Sequence, residues 1–308
     1  MTALLLLPLL LPFALPALAR RALDRLAPVA ALWAVTGCAV VLAGCSLAAL
    51  GSFVLIGLLK VPLFAAVGEL IHPLRTASDL VVLPAAATSV GALAVCGWTL
   101  VRSVLDQSRA FRAARTEAGR RPPAGDLCVV DSPRPDAYAL PGRPHRIVVT
   151  TAMLRSLDGP EREALFAHER AHNDGRHHYF LAAAELAAHC HPALRPVRET
   201  IRLAAERAAD EAAAASVGDR RLTARAIARA ALAGQTARSE RPDFAPAATT
   251  GPVPQRVQAL LAAPGVPRAG RAIAALLIAC TAVSCAASVA GLADFHHRVE
   301  IAQGDATP

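Results

Sequence analysis

Leu165-Phe166-Ala167-His168-Glu169-Arg170-Ala171-His172-Asn173-Asp174 contains the pattern H-E-x-x-H. On a helix, His168 and His172 lie one turn apart on one face, with Cβ atoms about 6 Å apart. Two imidazoles at that spacing can share one Zn²⁺ at roughly 2.0–2.1 Å each. Glu169, beside the first histidine, is placed to take a proton from a water next to the metal without being a ligand. Two ligands plus a general base is a metalloprotease arrangement, and it decides local structure because it works only on a helix.

The flanks supply that helix. Asp158 is an N-cap residue and Pro160 falls near the first helical position, where its missing N–H leaves no bond unmade. Glu161 and Glu163 put negative charge in the first turn, where the helix dipole favours it. Ala164 to Ala167 carry the helix into the motif.

A catalytic zinc site uses three protein ligands and leaves a position for water. His177, His178, His189, His191 and Glu206 are the candidates for the third. Pro192 and Pro196 break the chain, and a second helix is expected from about Val197 to Val217, with Gly218 as its C′ residue. Glu206 and Asp210 share a face of it, four residues apart. Glu206 can bind zinc while Asp210 orients His168 or His172 through the free ring nitrogen. Ala204, Ala205, Ala208 and Ala209 allow close approach to the motif helix. His177, His178, Tyr179 and Arg202 are unranked candidates for an oxyanion donor.

Leu127-Cys128-Val129-Val130 and Ile147-Val148-Val149-Thr150 read as short strands. Between them Asp136 to Leu140 leads into a Pro141-Gly142 turn. A strand there offers an edge to which an extended peptide can add, with Ala137, Tyr138 and Ala139 as the substrate-binding residues.

The composition sets the surroundings. Of 308 residues 54% are hydrophobic, which points to a membrane protein. The net charge of +8 is almost all arginine, Lys60 being the only lysine. With no aromatic-interleaved basic patch, this charge reads as cytoplasmic flanks of membrane helices, with lipid as a partner and no direct nucleic-acid binding. The seven cysteines form no C-x-x-C pair and read as small hydrophobes. No internal repeat, phosphate loop or nucleotide fingerprint is present.

Four spans are expected: Thr2–Ala19, one within Pro28–Leu59, Leu80–Val101 and Ile273–Leu292. Ala17-Leu18-Ala19 resembles a signal-peptide cleavage site, but Arg20, Arg21 and Arg25 follow it and no basic residue precedes it, so an uncleaved helix is the reading. Glu69 and His72, at ligand spacing between the second and third spans, read as part of an interfacial helix or loop. The expected division is 1–101, a membrane region of three helices; 102–235, a peptidase domain; 236–271, a Pro-rich tether with a short helix at Gln255–Ala263; 272–292, the last span; and 293–308, a short extracytoplasmic tail whose His296 and His297 are solvated. Arginine placement puts the N-terminus outside and the peptidase domain in the cytoplasm. The fold class is a mainly α membrane protein, with a zincin-like α+β catalytic domain between the third and fourth helices.

Three stretches together resemble known families. They are His168-Glu169-x-x-His172 with Glu206-x-x-x-Asp210, Ala139 to Thr151, and Pro252-x-x-x-Arg256-Val257-x-x-Leu260. The first resembles the gluzincin pattern. The other two are similar to segments of two membrane groups, the BlaR/MecR-type antirepressor metallopeptidases and the HtpX-type proteases. The layout resembles the BlaR/MecR type more. The resemblance implies Zn²⁺ held by His168, His172 and Glu206, Glu169 as the catalytic residue, a cytoplasmic domain, and signal-dependent cleavage of a transcriptional repressor. The β-lactam sensors carry a penicillin-binding domain after the last span, where this sequence has only Ala293 to Pro308, so antibiotic sensing by that route is not expected. An HtpX-type quality-control protease and a non-catalytic zinc-braced signalling scaffold are the alternatives; an intact Glu169 argues against the scaffold.

Overall fold

Prolines shape the first span. Pro12 has no N–H to offer the carbonyl of Pro8, so one helical bond is lost. Ser46 Oγ, on the next helix, lies 2.9 Å from Pro8 O and satisfies it. Pro16 likewise cannot bond to Pro12 O, which accepts from Leu15 N–H in a tighter turn. The run therefore becomes α1 (Thr2–Leu10), a 3₁₀ turn (Leu11–Ala14) and α2 (Leu15–Arg25). A buried polar group in a bilayer must be satisfied internally, and Ser46 meets that demand here.

The computed structural model describes residues 2–67, 79–120, 125–234, 252–262 and 270–304. After α2 come α3 (Pro28–Leu58), α4 (Pro62–Val67) and α5 (Asp79–Gly119). Strands β1 (Leu127–Val130), β2 (Ala137–Leu140) and β3 (Arg146–Thr150) lead into α6 (Thr151–Ser156), α7 (Gly159–Asp174), α8 (His177–Cys190) and α9 (Val197–Val217). The chain ends in α10 (Arg220–Gly234), α11 (Val253–Leu261) and α12 (Gly270–Gln303). Among the described residues four segments are long and apolar enough to cross a membrane: Leu4–Arg25, Pro28–Leu58, Leu80–Gly119 and Gly270–Gln303. The chain reads as a mostly helical, multi-pass membrane protein with a small sheet. Glu69, His72 and most of the Pro-rich stretch lie outside the described residues.

Two spans are longer than their apolar runs. At 1.5 Å per residue α5 is about 60 Å long, twice the hydrocarbon thickness. It continues past Val101 because Arg102 to Gly119 carries helix formers and no proline. Arg102 lies over the Trp98 ring at 5.8 Å, an interfacial pairing. Beyond it Phe111, Ala114 and Ala118 pack under Cys128, Tyr138, Leu140 and Val148 of the sheet. The polar tail expected from Ala293 is instead helical as far as Gln303, with Asp294 and Arg298 paired at 3.1 Å one turn apart.

The sheet order is β1-β3-β2, with β1 parallel and β2 antiparallel to the central β3. Ala137 pairs with Val149 and Ala139 with Ile147. Among the described residues no strand covers the outer edge of β2. The turn after it needs glycine: Gly142 has φ +145, and a Cβ there would fall on the Arg115 guanidinium, which donates to Pro141 O at 2.8 Å.

A shared core joins α8 and α9 to the apolar helices α2, α3 and α12. Leu15, Ala19 and Ala22 of α2, Val35, Cys38 and Leu42 of α3, and Ile273 and Leu277 of α12 pack with Leu181 and Ala184 of α8 and Val197 and Ile201 of α9. At the far end of α8, His191 Nδ1 accepts from Ala193 N–H, so Nε2 carries the proton and donates to Leu9 O at 3.1 Å. The α8–α9 hairpin is thereby pinned to the proline-broken helix.

Along the α3–α12 seam, Cys45 Sγ lies 3.8 Å from Cys285 Sγ. Copper-phenanthroline oxidation of membranes is expected to link these two, removing two free thiols and giving one tryptic cross-link by mass spectrometry. Cys285→Ser should abolish it. A cross-link from Cys45 to any other cysteine would contradict this seam.

Candidate metal centre

The motif helix starts as its sequence dictates. Asp158 Oδ1 accepts from Glu161 N–H at 2.9 Å, and Glu161 Oε2 accepts from Asp158 N–H at 3.1 Å, a reciprocal capping box. Glu161 is buried and also meets Arg225 at 3.0 Å and Arg229 at 2.8 Å on α10. Burial pushes its carboxyl up, but the Asp158 N–H and the two guanidinium groups outweigh this and hold it below the usual carboxylate range. Leu165 faces Ala137, Val149, Met153 and Leu157, which seats α7 on the sheet and α6.

α7 and α9 then bring the candidate ligands together. His168, His172 and Glu206 offer ligand atoms within 4.8 Å of one another and are wholly or almost wholly buried. His168 Nε2 lies 3.0 Å from His172 Nε2 and 3.5 Å from Glu206 Oε2, and His172 Nε2 lies 3.7 Å from Glu206 Oε1. Small residues make this approach possible, Ala205, Ala208 and Ala209 all being buried.

The residues behind the ligands fix which ring atoms face the cluster. His168 Nδ1 lies 3.0 Å from Asp210 Oδ1. His172 Nδ1 lies 2.8 Å from His177 Nδ1. A carboxylate can only accept, so in neutral His168 the proton sits on Nδ1 and Nε2 keeps its lone pair. With His172 donating to His177, its Nε2 is also a lone pair. In those tautomers two lone pairs and a carboxylate converge in a buried space, an arrangement that could hold a cation; without a metal, a proton on His168 takes that place. Burial lowers the His168 pKa, yet hydrogen bonding to Asp210 and Glu206 outweighs it and raises it to about 9. His172 is lowered, chiefly by burial, and His177 is lowered to about 3 by burial and by His172. A His₂Glu donor set with both histidines backed by second partners suits a divalent cation such as zinc.

His177 reaches its place through a tight turn. Arg176 adopts φ +50, a left-handed conformation costing about 1–2 kcal/mol for a residue with a Cβ. A Cβ on Gly175 would lie 2.4 Å from His177 Nε2, so glycine is needed there.

The remaining expected residues are placed as follows. Glu169 is fully buried on α7 beside His168. Ala137 packs toward α7, Ala139 shares its face of β2, and Tyr138 points to the α5 side. His189 pairs with Glu185 at 3.3 Å and His191 with Leu9, both toward the end of α8, away from the cluster. His178 is stacked near an exposed Tyr179, and burial lowers its pKa. Sequence reasoning missed Arg256. On α11, Arg256 is fully buried, with Nη1 3.0 Å from Glu206 Oε2, Nη2 2.6 Å from Asp210 Oδ1 and Nε 2.8 Å from Asp210 Oδ2. An arginine in register with Leu260 on a short helix, inside a Pro-rich stretch, was the only signal.

With this geometry in hand, residues 107–194 match the family model described as Peptidase family M48. The match includes His168, Glu169 and His172 and stops before Glu206. No curated protein matches the chain, and no solved structure does. A segment similar to peptidase family M48 thus lies beside four helices that, among the described residues, are long and apolar enough to cross a membrane.

Proposed function

We propose that the protein is a membrane-embedded zinc endopeptidase, with His168, His172 and Glu206 as ligands and Glu169 as general base. The observation that carries this is the convergence of two imidazole Nε2 atoms and a carboxylate beside the buried Glu169. Bound zinc would supply Lewis acidity, lowering the pKa of water towards ~7 and polarising the peptide carbonyl. Glu169 takes a proton from the attacking water and returns it to the leaving amine. Asp210 and His177 hold the two histidines in the tautomers the ligands need. An extended substrate adds to the outer edge of β2 at Ala137, Tyr138 and Ala139, and main-chain hydrogen bonds set its register.

The substrate in this reading is a cytoplasmic transcriptional repressor cleaved in response to a signal. Support comes from the resemblance of the Ala139–Thr151 and Pro252–Leu260 stretches, and from the arginine placement, which favours a cytoplasmic position for residues 102–235. Residues 236–271 in this reading tether that domain to the last span. The second reading is quality control of membrane proteins. It is favoured by the core that α8 and α9 share with α2, α3 and α12, which holds the site against the membrane bundle.

Purified protein in detergent is expected to contain about one zinc per chain. Chelation should abolish cleavage of the regulator, and zinc should restore it. Cleavage of unfolded membrane proteins but not of a repressor would select the second reading. A protein that takes up no zinc would remove both.

A further inference from the structure

Arg256 reaches the cluster from outside the helices that carry the motif. Its three nitrogens divide between two carboxylates: Nη1 to Glu206, Nη2 and Nε to the two oxygens of Asp210. Those carboxylates are one turn apart on α9, and they do different work. Glu206 faces both histidines, and Asp210 holds His168 from behind. We infer that Arg256 is a positioning residue that sets the third metal ligand and the orienting partner of the first ligand in one contact.

Two features support a positional role over simple charge balance. The guanidinium fork is planar and rigid, so fixing Asp210 at two oxygens also fixes where Nη1 meets Glu206. The contact holds Glu206 Oε2 at 3.0 Å where it also faces His168 Nε2 at 3.5 Å, leaving Oε1 facing His172 Nε2 at 3.7 Å. A lysine carries the same charge on a single nitrogen and cannot hold both carboxylates in a defined geometry. Burial is the second feature. At 0% exposure the group has lost its hydration and depends on these carboxylates, so its place is fixed by them and theirs by it. The seat itself is formed by Leu260 and Val257 of α11 against Ala214, Ala224 and Ile227.

Charge and position predict opposite results. A nearby cation repels a divalent metal, so if Arg256 acted only through its charge, Arg256→Met would bind metal more tightly. A positioning role predicts weaker binding. The inference rests on the metal reading of His168, His172 and Glu206, and a wild type that binds no zinc would fail that reading first, before any variant is compared. Zinc affinity is measured by competition with a chelating dye on the full-length protein in detergent, with the Co²⁺ visible spectrum as a second readout. Arg256→Lys and Arg256→Met are both expected to bind zinc about 10–100-fold more weakly, with an altered Co²⁺ spectrum. Wild-type affinity in Arg256→Lys, or tighter binding in Arg256→Met, would overturn the inference. If Arg256→Met does not fold, Asp210→Asn/Arg256→Met, which removes the charge with a partner, is compared with Asp210→Asn alone. The double variant should bind more weakly, because Glu206 has also lost its guanidinium; equal affinity would overturn the proposal.

Discussion

Glu169→Gln is expected to bind zinc as wild type does and to lose peptide hydrolysis by about 10²–10⁴-fold in kcat. The substitution is nearly isosteric, so the fully buried position keeps its packing. An amide can neither take the proton of an attacking water nor return one to a leaving amine. KM should change little, because in the proposed reading substrate would be held by main-chain pairing at β2 and not by Glu169. The measurement is zinc content and single-turnover cleavage, side by side with wild type. Cleavage at the wild-type rate would take the base role away from Glu169. Loss of zinc together with cleavage would mean that Glu169 belongs to the ligand set, and the assignment of Glu206 would have to be reopened.

The second large effect is expected at Glu206. Glu206→Ala removes the carboxylate that faces both histidines, and zinc affinity should fall by at least about 100-fold, the upper end for a mere supporting partner. It also strips Arg256 of one of two buried anions. Breaking a buried ion pair from one side costs about 3–5 kcal/mol, and Asp210 remains, so a loss near the lower figure is expected in the metal-free protein. Glu206→Gln separates the two consequences. Its amide oxygen can still accept from Arg256, so stability should suffer less while zinc binding is still lost. Unfolding of the metal-free variants and zinc competition would measure both. A Glu206→Ala protein that binds zinc normally would exclude it as third ligand.

What could be read in the sequence was local, and what could not was assembled by long-range packing. His168, Glu169 and His172 follow a helical spacing that needs no tertiary knowledge, and Asp158 with Glu161 announced the helix start. The helix bearing Glu206 was legible at both ends, from Pro196 and from Gly218, whose φ is +78. α8 was not recognised as a helix in its own right, because its histidine-rich start and alanine-rich end give no single apolar stripe. The place of His177 behind His172 depends on a left-handed Arg176 that composition does not announce. Arg256 pairs with Asp210 across 46 residues, and no local pattern encodes such a partner. The spans were found from apolar length, but the ends of α5 and α12 were not, since amphipathic and ion-paired turns extend a helix beyond its apolar run.

The length of α5 has a mechanical consequence. Its last seventeen residues form an arm of about 25 Å beyond Arg102, with the sheet fastened to its end. Pivoting that arm by ten degrees at the membrane boundary would move Ala118 by about 4 Å, close to the distance between neighbouring strands. The sheet carries α7, and so His168 and His172, whereas Glu206 is anchored with α9 to the other three spans. The candidate ligands are thus split between a lever and its frame, and a metal held by all three would be the bolt that joins them.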